Sequence, residues 1–143
     1  MFEIGVADSL YGEAAEIRYR ALYEGLGLPR TLIEDTDGRT YVHFVAIAQD
    51  GRVIGYARLH LAGGESQAYQ IVVGETDRRR GVGTALVRAI EARASAEGRD
   101  FLELDARDHA VGFYERLGFV VTGEPFLSLR TGTPHRHMWK GLL

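Results

Sequence analysis

The chain has 143 residues, of which 45% are hydrophobic and 26% are charged, and we expect one globular domain over residues 1–143. Its lack of cysteine excludes disulfides and thiolate nucleophiles, and its formal net charge of -3 argues against a general nucleic-acid surface. Since no apolar run approaches the roughly 18 residues of a membrane span and residues 1–4 lack a signal-peptide pattern, we expect a cytoplasmic protein without nucleic-acid or membrane partners.

The hydrophobic periodicity predicts seven strands and three helices. The predicted strands are, in chain order, 2–6, 41–48, 53–61, 67–73, 101–106, 119–122 and 134–140. The predicted helices are 10–25, 82–97 and 109–117. We expect Asp8 or Ser9 to cap the first helix and Gly98 to end the second. The order β-α-β-β-β-α-β-α-β-β predicts an α/β fold with a single mixed, mostly antiparallel sheet flanked by helices.

The loop between strand 67–73 and helix 82–97 has the features of a phosphate site. Backbone N–H groups at the start of a helix lack partners within the helix, and the helix dipole adds partial positive charge there. Glycines let the backbone approach phosphate oxygens, and arginines add full charges. The candidate residues are Arg78, Arg79, Arg80, Gly81, Val82, Gly83 and Thr84. By itself the pattern is weak, because a solvent-exposed basic turn before a helix explains it equally well.

Two other phosphate motifs fit the same loop less well. A P-loop requires a lysine directly before Thr84, where this chain has Gly83. A dinucleotide-binding fingerprint requires a small residue three positions after Gly83, where this chain has Leu86. The sequence therefore disfavours a nucleotide-binding protein.

A second motif follows strand 101–106, where Phe113-Tyr114 precedes Gly118-Phe119. Together with the glycine-containing loop upstream, it resembles the GNAT superfamily of acyl-CoA N-acyltransferases. In that superfamily an Arg/Gln-x-x-Gly-x-Gly/Ala loop binds CoA, and Phe-Tyr-x-x-x-Gly-Phe follows the next strand. The resemblance covers nearly the whole chain, because the predicted order of strands and helices is also that of the superfamily.

Three further segments, 18–22, 123–126 and 132–138, resemble the ElaA-like branch of the superfamily. Two positions depart from the family pattern. Thr133 stands where isoleucine is usual, which is a minor change. Arg107 stands where many members carry an asparagine that contacts CoA, so that contact is not carried over to this chain.

The resemblance implies an N-acetyltransferase that transfers acetyl from acetyl-CoA, without a metal, to a primary amine of a small molecule, peptide or protein. Main-chain atoms of Ile71, Val72 and Val73 would bind the pantetheine arm as an added strand. Segment 78–84 would bind the pyrophosphate. For this arrangement the sheet has to open between strands 67–73 and 101–106.

The resemblance also assigns the chemistry. Tyr114 would protonate the departing thiolate, and the Val73 N–H would stabilise the oxyanion. A core tyrosine bonded to a backbone carbonyl is the alternative interpretation of Tyr114. The general base stays open between a water-relayed deprotonation and several side chains. Those candidates are His43, His60, Glu65 and Glu103, with Glu103 and Asp105 on one strand face as candidates for the acceptor site.

Few other residues suggest a function. We place His135 and His137 on opposite faces of the last strand, and on that placement the pair would not bind one metal ion. The expected partners are an amine-bearing acceptor and, in a homodimer, a second copy of the chain. A catalytically silent acyl-CoA sensor with the same fold is the alternative to an enzyme.

Overall fold

The computed structural model describes residues 2–6, 10–33 and 39–142, which contain eight strands and three helices. The strands are β1 (Phe2–Val6), β2 (Val42–Ala48), β3 (Val53–His60), β4 (Gln67–Val73), β5 (Phe101–Arg107), β6 (Val120–Val121), β7 (Phe126–Leu127) and β8 (Pro134–Gly141). The helices are α1 (Tyr11–Leu22), α2 (Val82–Ala96) and α3 (Val111–Arg116). Within these described ranges, no helix has both the length and the apolar character that a membrane span requires.

Each predicted strand and helix is present, and its ends lie within three residues of the prediction. Strand β7 was not predicted, because two residues are too few to show a period. The expected caps Asp8 and Ser9 lie outside the described residues. Gly98 ends α2 as predicted, with a φ of 82° and a hydrogen bond of 3.0 Å from the Arg99 N–H to the Ala94 carbonyl.

The strands form one sheet in the order β1-β2-β3-β4-β5-β8-β6, with β7 also paired to β8. Every pair is antiparallel except β4 and β5, which run parallel because α2 connects them. The predicted mixed, mostly antiparallel sheet is confirmed. The one parallel pair lies in the middle of the sheet, directly beside the start of α2.

The two long helices cover opposite faces of the sheet. Successive residues of β2 show this, since Phe44 and Ala46 belong to the core cluster under α2 and Val45 to the cluster under α1. Leu86 and Ile90 of α2 are fully buried, and burial of each such side chain stabilises the fold by about 1.5–3 kcal/mol. Leu102, Leu104 and Ala106 of β5 belong to the core cluster under α2, which leaves the acidic residues of β5 on the α1 side.

Strand β4 contains one extra residue. Tyr56 pairs with Val72 and Arg58 with Tyr69, so one residue of β3 stands opposite two of β4. Gln70, inside this bulge, has a φ of 50°. Although Ala68 and Val72 are four residues apart, Ala68 packs on the α2 side and Val72 on the α1 side. The bulge therefore reverses which residues of β4 face each helix.

Candidate active site

The sheet opens in its middle, between β4 and β5. These strands share a single ladder pair, Gln67 with Glu103, supported by a 2.9 Å hydrogen bond from the Glu103 N–H to the Ser66 carbonyl. Beyond that pair the described strands diverge, and a cavity of about 520 Å³ lies at the opening. Ile71, Leu104 and Ala106 are among its lining residues. The opening implied by the family resemblance is thus present.

Val73 presents its main chain to this opening. The Gly74 N–H donates to the Ile54 carbonyl at 2.8 Å, which makes Val73 and Gly55 a non-hydrogen-bonded pair of the antiparallel ladder. The N–H and C=O of Val73 consequently point away from β3 and toward the gap. Val72 pairs with Tyr56 in the alternate register, so its main-chain groups face β3 instead.

The bulge beside Val73 is held by a buried arginine from α1. Arg18 is 1% exposed, and its Nε donates to Gln70 Oε1 at 2.8 Å. Its guanidinium lies 5.0 Å from the centre of the Tyr56 ring. A positive φ at a non-glycine residue costs on the order of 1–3 kcal/mol and persists only where neighbours fix it. Arg18 is such a neighbour. From the sequence it was noted only as the first residue of segment 18–22, and its structural role was not predicted.

The loop before α2 has the geometry of a helix N-terminus open to solvent. Gly81 caps α2 with a φ of 80°, and a side chain added there would meet no atom within 4 Å. Arg78 and Arg79 are exposed, while Arg80 lies 3.4 Å from the buried Asp77. This part of the loop can therefore receive an anion through backbone N–H groups and free cationic side chains.

Other residues predicted for this loop have structural reasons to be there. The side chain of Val82 is 1% exposed and belongs to the α2 core, so only its N–H is open to a ligand. A side chain at Gly83 would come 3.2 Å from Phe113 and 3.6 Å from Val73. Gly83 is thus required for close packing of α2, and Thr84 is half-buried in the first turn.

Tyr114 combines burial with an unbonded hydroxyl. It is 7% exposed, packs edge-on against Phe113 and Phe119, and lines the cavity. Its hydroxyl makes no hydrogen bond to any described residue, which disfavours a core tyrosine tied to a carbonyl. Burial raises the pKa of Tyr114 to about 12, although the nearby charge of Arg107 opposes the rise. The phenol is a protonated donor at neutral pH.

Most of the candidate bases have other partners. His60 Nδ1 lies 3.1 Å from the Thr40 carbonyl, and its Nε2 lies 3.3 Å from Glu65. His43 Nδ1 lies 2.6 Å from the Tyr56 hydroxyl. These contacts are structural. Of the candidate bases, His43, His60 and Glu65 all lie outside the lining of the cavity at the opening.

Our placement of His135 and His137 on opposite faces is wrong. Residues two apart on a strand share a face, and the two histidines stand opposite Asp105 and Arg107, which lie on the α1 side of β5. His137 Nδ1 lies 2.7 Å from Asp105 and its Nε2 lies 3.4 Å from Glu103. Burial opposes the charged form of His137, but the two carboxylates outweigh it and raise the pKa of the imidazole. Within the described ranges, no group of three such side chains has a metal-binding arrangement.

Asp105, one of the two acceptor-site candidates from the sequence, and Arg107 both bring charge to the cavity. Asp105 lines the cavity and is, among the described residues, its one acidic side chain, whereas Glu103 does not line it. Arg107 lines it too, in place of the asparagine usual in the family. The period that places Glu103 and Asp105 on one face of β5 could also have indicated Arg107, because alternate residues of one strand share a face.

Known proteins resemble this chain in sequence. The profile of the acetyltransferase (GNAT) domain matches residues 22–142. The chain belongs to the GNAT acetyltransferase family. A predicted acetyltransferase of Bacillus subtilis is 32% identical over 98 residues, which are 68% of this chain and 65% of that protein. The match thus spans just under two thirds of that relative.

Solved structures share the fold over nearly their whole length. A predicted N-acetyltransferase from Lactobacillus plantarum has a TM-score of 0.84 at 23% identity and covers 100% of this chain and 98% of its own. Escherichia coli ElaA has a TM-score of 0.80 at 19% identity, covering 98% and 99%. An aminoglycoside 6′-N-acetyltransferase complexed with coenzyme A has a TM-score of 0.78 at 17% identity, covering 99% and 97%. At these identities the likeness shows that this chain shares its fold with the three proteins, ElaA among them.

Proposed function

We propose that this GNAT protein is an N-acetyltransferase that transfers acetyl from acetyl-CoA to a primary amine by direct attack on the thioester. The observation that carries the proposal is the opening between β4 and β5. There the main chain of Val73, the last residue of β4 before the loop that leads to α2, points toward the gap, and Tyr114, whose hydroxyl is unbonded, lines the cavity. A packed sheet has no structural need for such an opening.

Residues of two elements fit the parts of acetyl-CoA. The open edge of β4 at Val73 can pair with an amide of the pantetheine arm, as an added strand would. The N-terminus of α2, with Gly81 and the exposed Arg78 and Arg79, suits the pyrophosphate. The coenzyme A complex of the aminoglycoside acetyltransferase, a protein of the same fold, supports this assignment.

The reaction divides among three groups of this chain. Acetyl-CoA supplies the acetyl group as a thioester. The Val73 N–H stabilises the negative charge that develops on the thioester oxygen as the amine attacks. Tyr114 donates its proton to the departing sulfur. Asp105, which accepts from His137, takes the proton that the amine releases, directly or through one water.

A binding and turnover experiment tests the proposal. Acetyl-CoA at about 100 times its dissociation constant should stabilise the fold by roughly 2.7 kcal/mol, whereas ATP and NADH at equal concentration should do much less. Free thiol should then appear only when an amine is added. Equal stabilisation by all three ligands would indicate a generic anion site. Acetyl-CoA binding without thiol release for any amine would instead indicate a sensor.

A further inference from the structure

The cavity at the opening carries more positive charge than the transfer reaction uses. Its charged lining residues, within the described part of the chain, are Arg39, Arg58, Arg107, Arg130 and, with the opposite sign, Asp105. An acetyl transfer to an amine produces a proton and needs a carboxylate or water to accept it. Four guanidinium groups contribute nothing to that step, so their presence requires another explanation.

Arg107 is half-buried in the wall of the cavity. Its Nη1 donates to the Ala21 carbonyl at 2.9 Å, and the described residues offer no partner to its Nε and Nη2. Burial lowers the pKa of Arg107, Tyr114 partly offsets that effect, and the charge of Arg78 lowers the pKa further. No carboxylate of the described chain pairs with it. A half-buried guanidinium without an anion is partly desolvated, and an anionic ligand would stabilise its charge.

Arg130, an exposed residue that also lines the cavity, likewise has only neutral partners. Its Nη1 is 3.1 Å from the Tyr23 hydroxyl and 3.2 Å from the Leu32 carbonyl. Both partners are neutral, and the two remaining nitrogens have none among the described residues. The bonds to Tyr23 and Leu32 fix the guanidinium plane while leaving one edge to receive an anion in two parallel hydrogen bonds.

The other two arginines contact aromatic rings. Arg39 Nη1 donates to the Tyr69 hydroxyl at 2.8 Å, and the Arg58 guanidinium lies 4.1 Å from the centre of the Tyr41 ring. Tyr41 and Tyr69 also line the cavity, which gives it flat walls as well as charge. A volume of about 520 Å³ lies within the range of roughly 300–1,000 Å³ that is common for small-molecule sites.

We propose that the acceptor is a small amine that also carries an anionic group, a carboxylate or a phosphate, bound by Arg107 and Arg130. This inference rests on the proposed acetyltransferase function. The amine lies toward Asp105 and the acetyl group, and the anion lies toward the arginines. The positive surroundings also favour the uncharged form of the amine, which is the form that attacks. An amino acid has this pattern of charges.

Matched pairs of acceptors test the inference. Tyrosine is compared with tyramine, histidine with histamine, and phosphoethanolamine with ethanolamine, by thiol release at saturating acetyl-CoA. The anionic member of at least one pair should have a kcat/KM at least tenfold higher. The first two pairs report a carboxylate and the third a phosphate, so the outcome also identifies the anion. A preference for the uncharged member, or no preference in any pair, would overturn the inference.

Charge-neutral variants locate the effect. Arg130→Gln should reduce the preference of the best pair at least fivefold, through the KM of the anionic acceptor, with the KM of acetyl-CoA unchanged. Arg107→Gln should do the same. Arg88→Gln, on the exposed face of α2 where Arg88 pairs with Glu91 at 2.7 Å, is the matched control and should keep the preference. Melting temperatures verify that the variants fold.

Two outcomes separate this inference from the proposed function. If Arg130→Gln loses affinity for acetyl-CoA and keeps the acceptor preference, the arginines serve the cosubstrate and the inference fails alone. If acetyl-CoA binds but no amine of any kind releases thiol, the proposed function fails and the inference fails with it.

Discussion

Replacement of Tyr114 by phenylalanine separates catalysis from cofactor binding. Tyr114→Phe keeps the ring between Phe113 and Phe119 and removes only the unbonded hydroxyl. If that hydroxyl protonates the departing sulfur, kcat should fall about 100-fold, which is the lower range for general acid catalysis. The affinity for acetyl-CoA should stay within a few-fold, because the pyrophosphate and pantetheine positions lie elsewhere.

The pKa of Tyr114 sets the pH dependence of this effect. With a pKa of about 12, roughly one phenol in ten thousand is ionised at pH 8. The wild-type rate should therefore show no alkaline loss from Tyr114 below about pH 11, whereas an ordinary tyrosine, with a pKa of about 10, would begin to lose its proton near pH 9. Thiol release, measured across this range with saturating substrates, reports the profile.

The same pKa predicts a difference in stability. Because the folded-state pKa is raised above the unfolded value of about 10, the contribution of neutral Tyr114 is fully present below pH 10 and is lost as the pH rises toward 12. Two pKa units correspond to about 3 kcal/mol. Chemical denaturation at about pH 8 and pH 11 should show that the free energy of unfolding falls more at the alkaline pH in the wild type than in Tyr114→Phe.

The rate measurement decides the catalytic role. A Tyr114→Phe variant with the wild-type kcat would show that Tyr114 takes no part in the mechanism.

Two further substitutions test the phosphate site and the base. Gly81→Asp should weaken acetyl-CoA binding at least tenfold, or about 1.4 kcal/mol, because its charge would project toward the phosphates. Calorimetric titration measures this, with Gly81→Ala as the control for backbone strain, and equal losses in both variants would contradict the assignment. Asp105→Asn should lower kcat/KM for the acceptor at least tenfold in the thiol-release assay, as expected for loss of a general base. Glu103→Gln, outside the cavity, should have little effect, and a wild-type rate for Asp105→Asn would favour water as the base.

Local patterns in the sequence predict the strands and helices well. Helix α2 shows why, since Leu86, Ile90 and Ala94 recur at helical spacing and are all fully buried. Gly98 provides the positive φ that ends the helix. Burial and backbone geometry are the causes of these patterns, so they can be read from neighbouring residues alone. The cytoplasmic location and the homodimer stay predictions.

The opening and its charges depend on contacts between distant residues, which local patterns do not contain. The residues that neighbour Gln70 in the sequence do not indicate its positive φ. That backbone conformation is stabilised by Arg18, which lies more than fifty residues earlier in the chain. The unbonded state of the Tyr114 hydroxyl likewise depends on what the surrounding elements leave empty. Arg130 lies at the cavity because the loop between β7 and β8 comes back to Tyr23, directly after α1. Only the family resemblance could have indicated the opening.

The extra residue of β4 limits how this chain can change in length during evolution. Deleting one residue between Ala68 and Val72 would restore a regular ladder with β3. The side chains of one half of the strand would then change to the opposite face of the sheet. Either Ala68 would leave the α2 side or Val72 the α1 side, and each of them is buried. The turn at Asp50-Gly51 has no such constraint, since longer surface turns cost little. Homologous chains should therefore vary in length at that turn and keep β4 at seven residues.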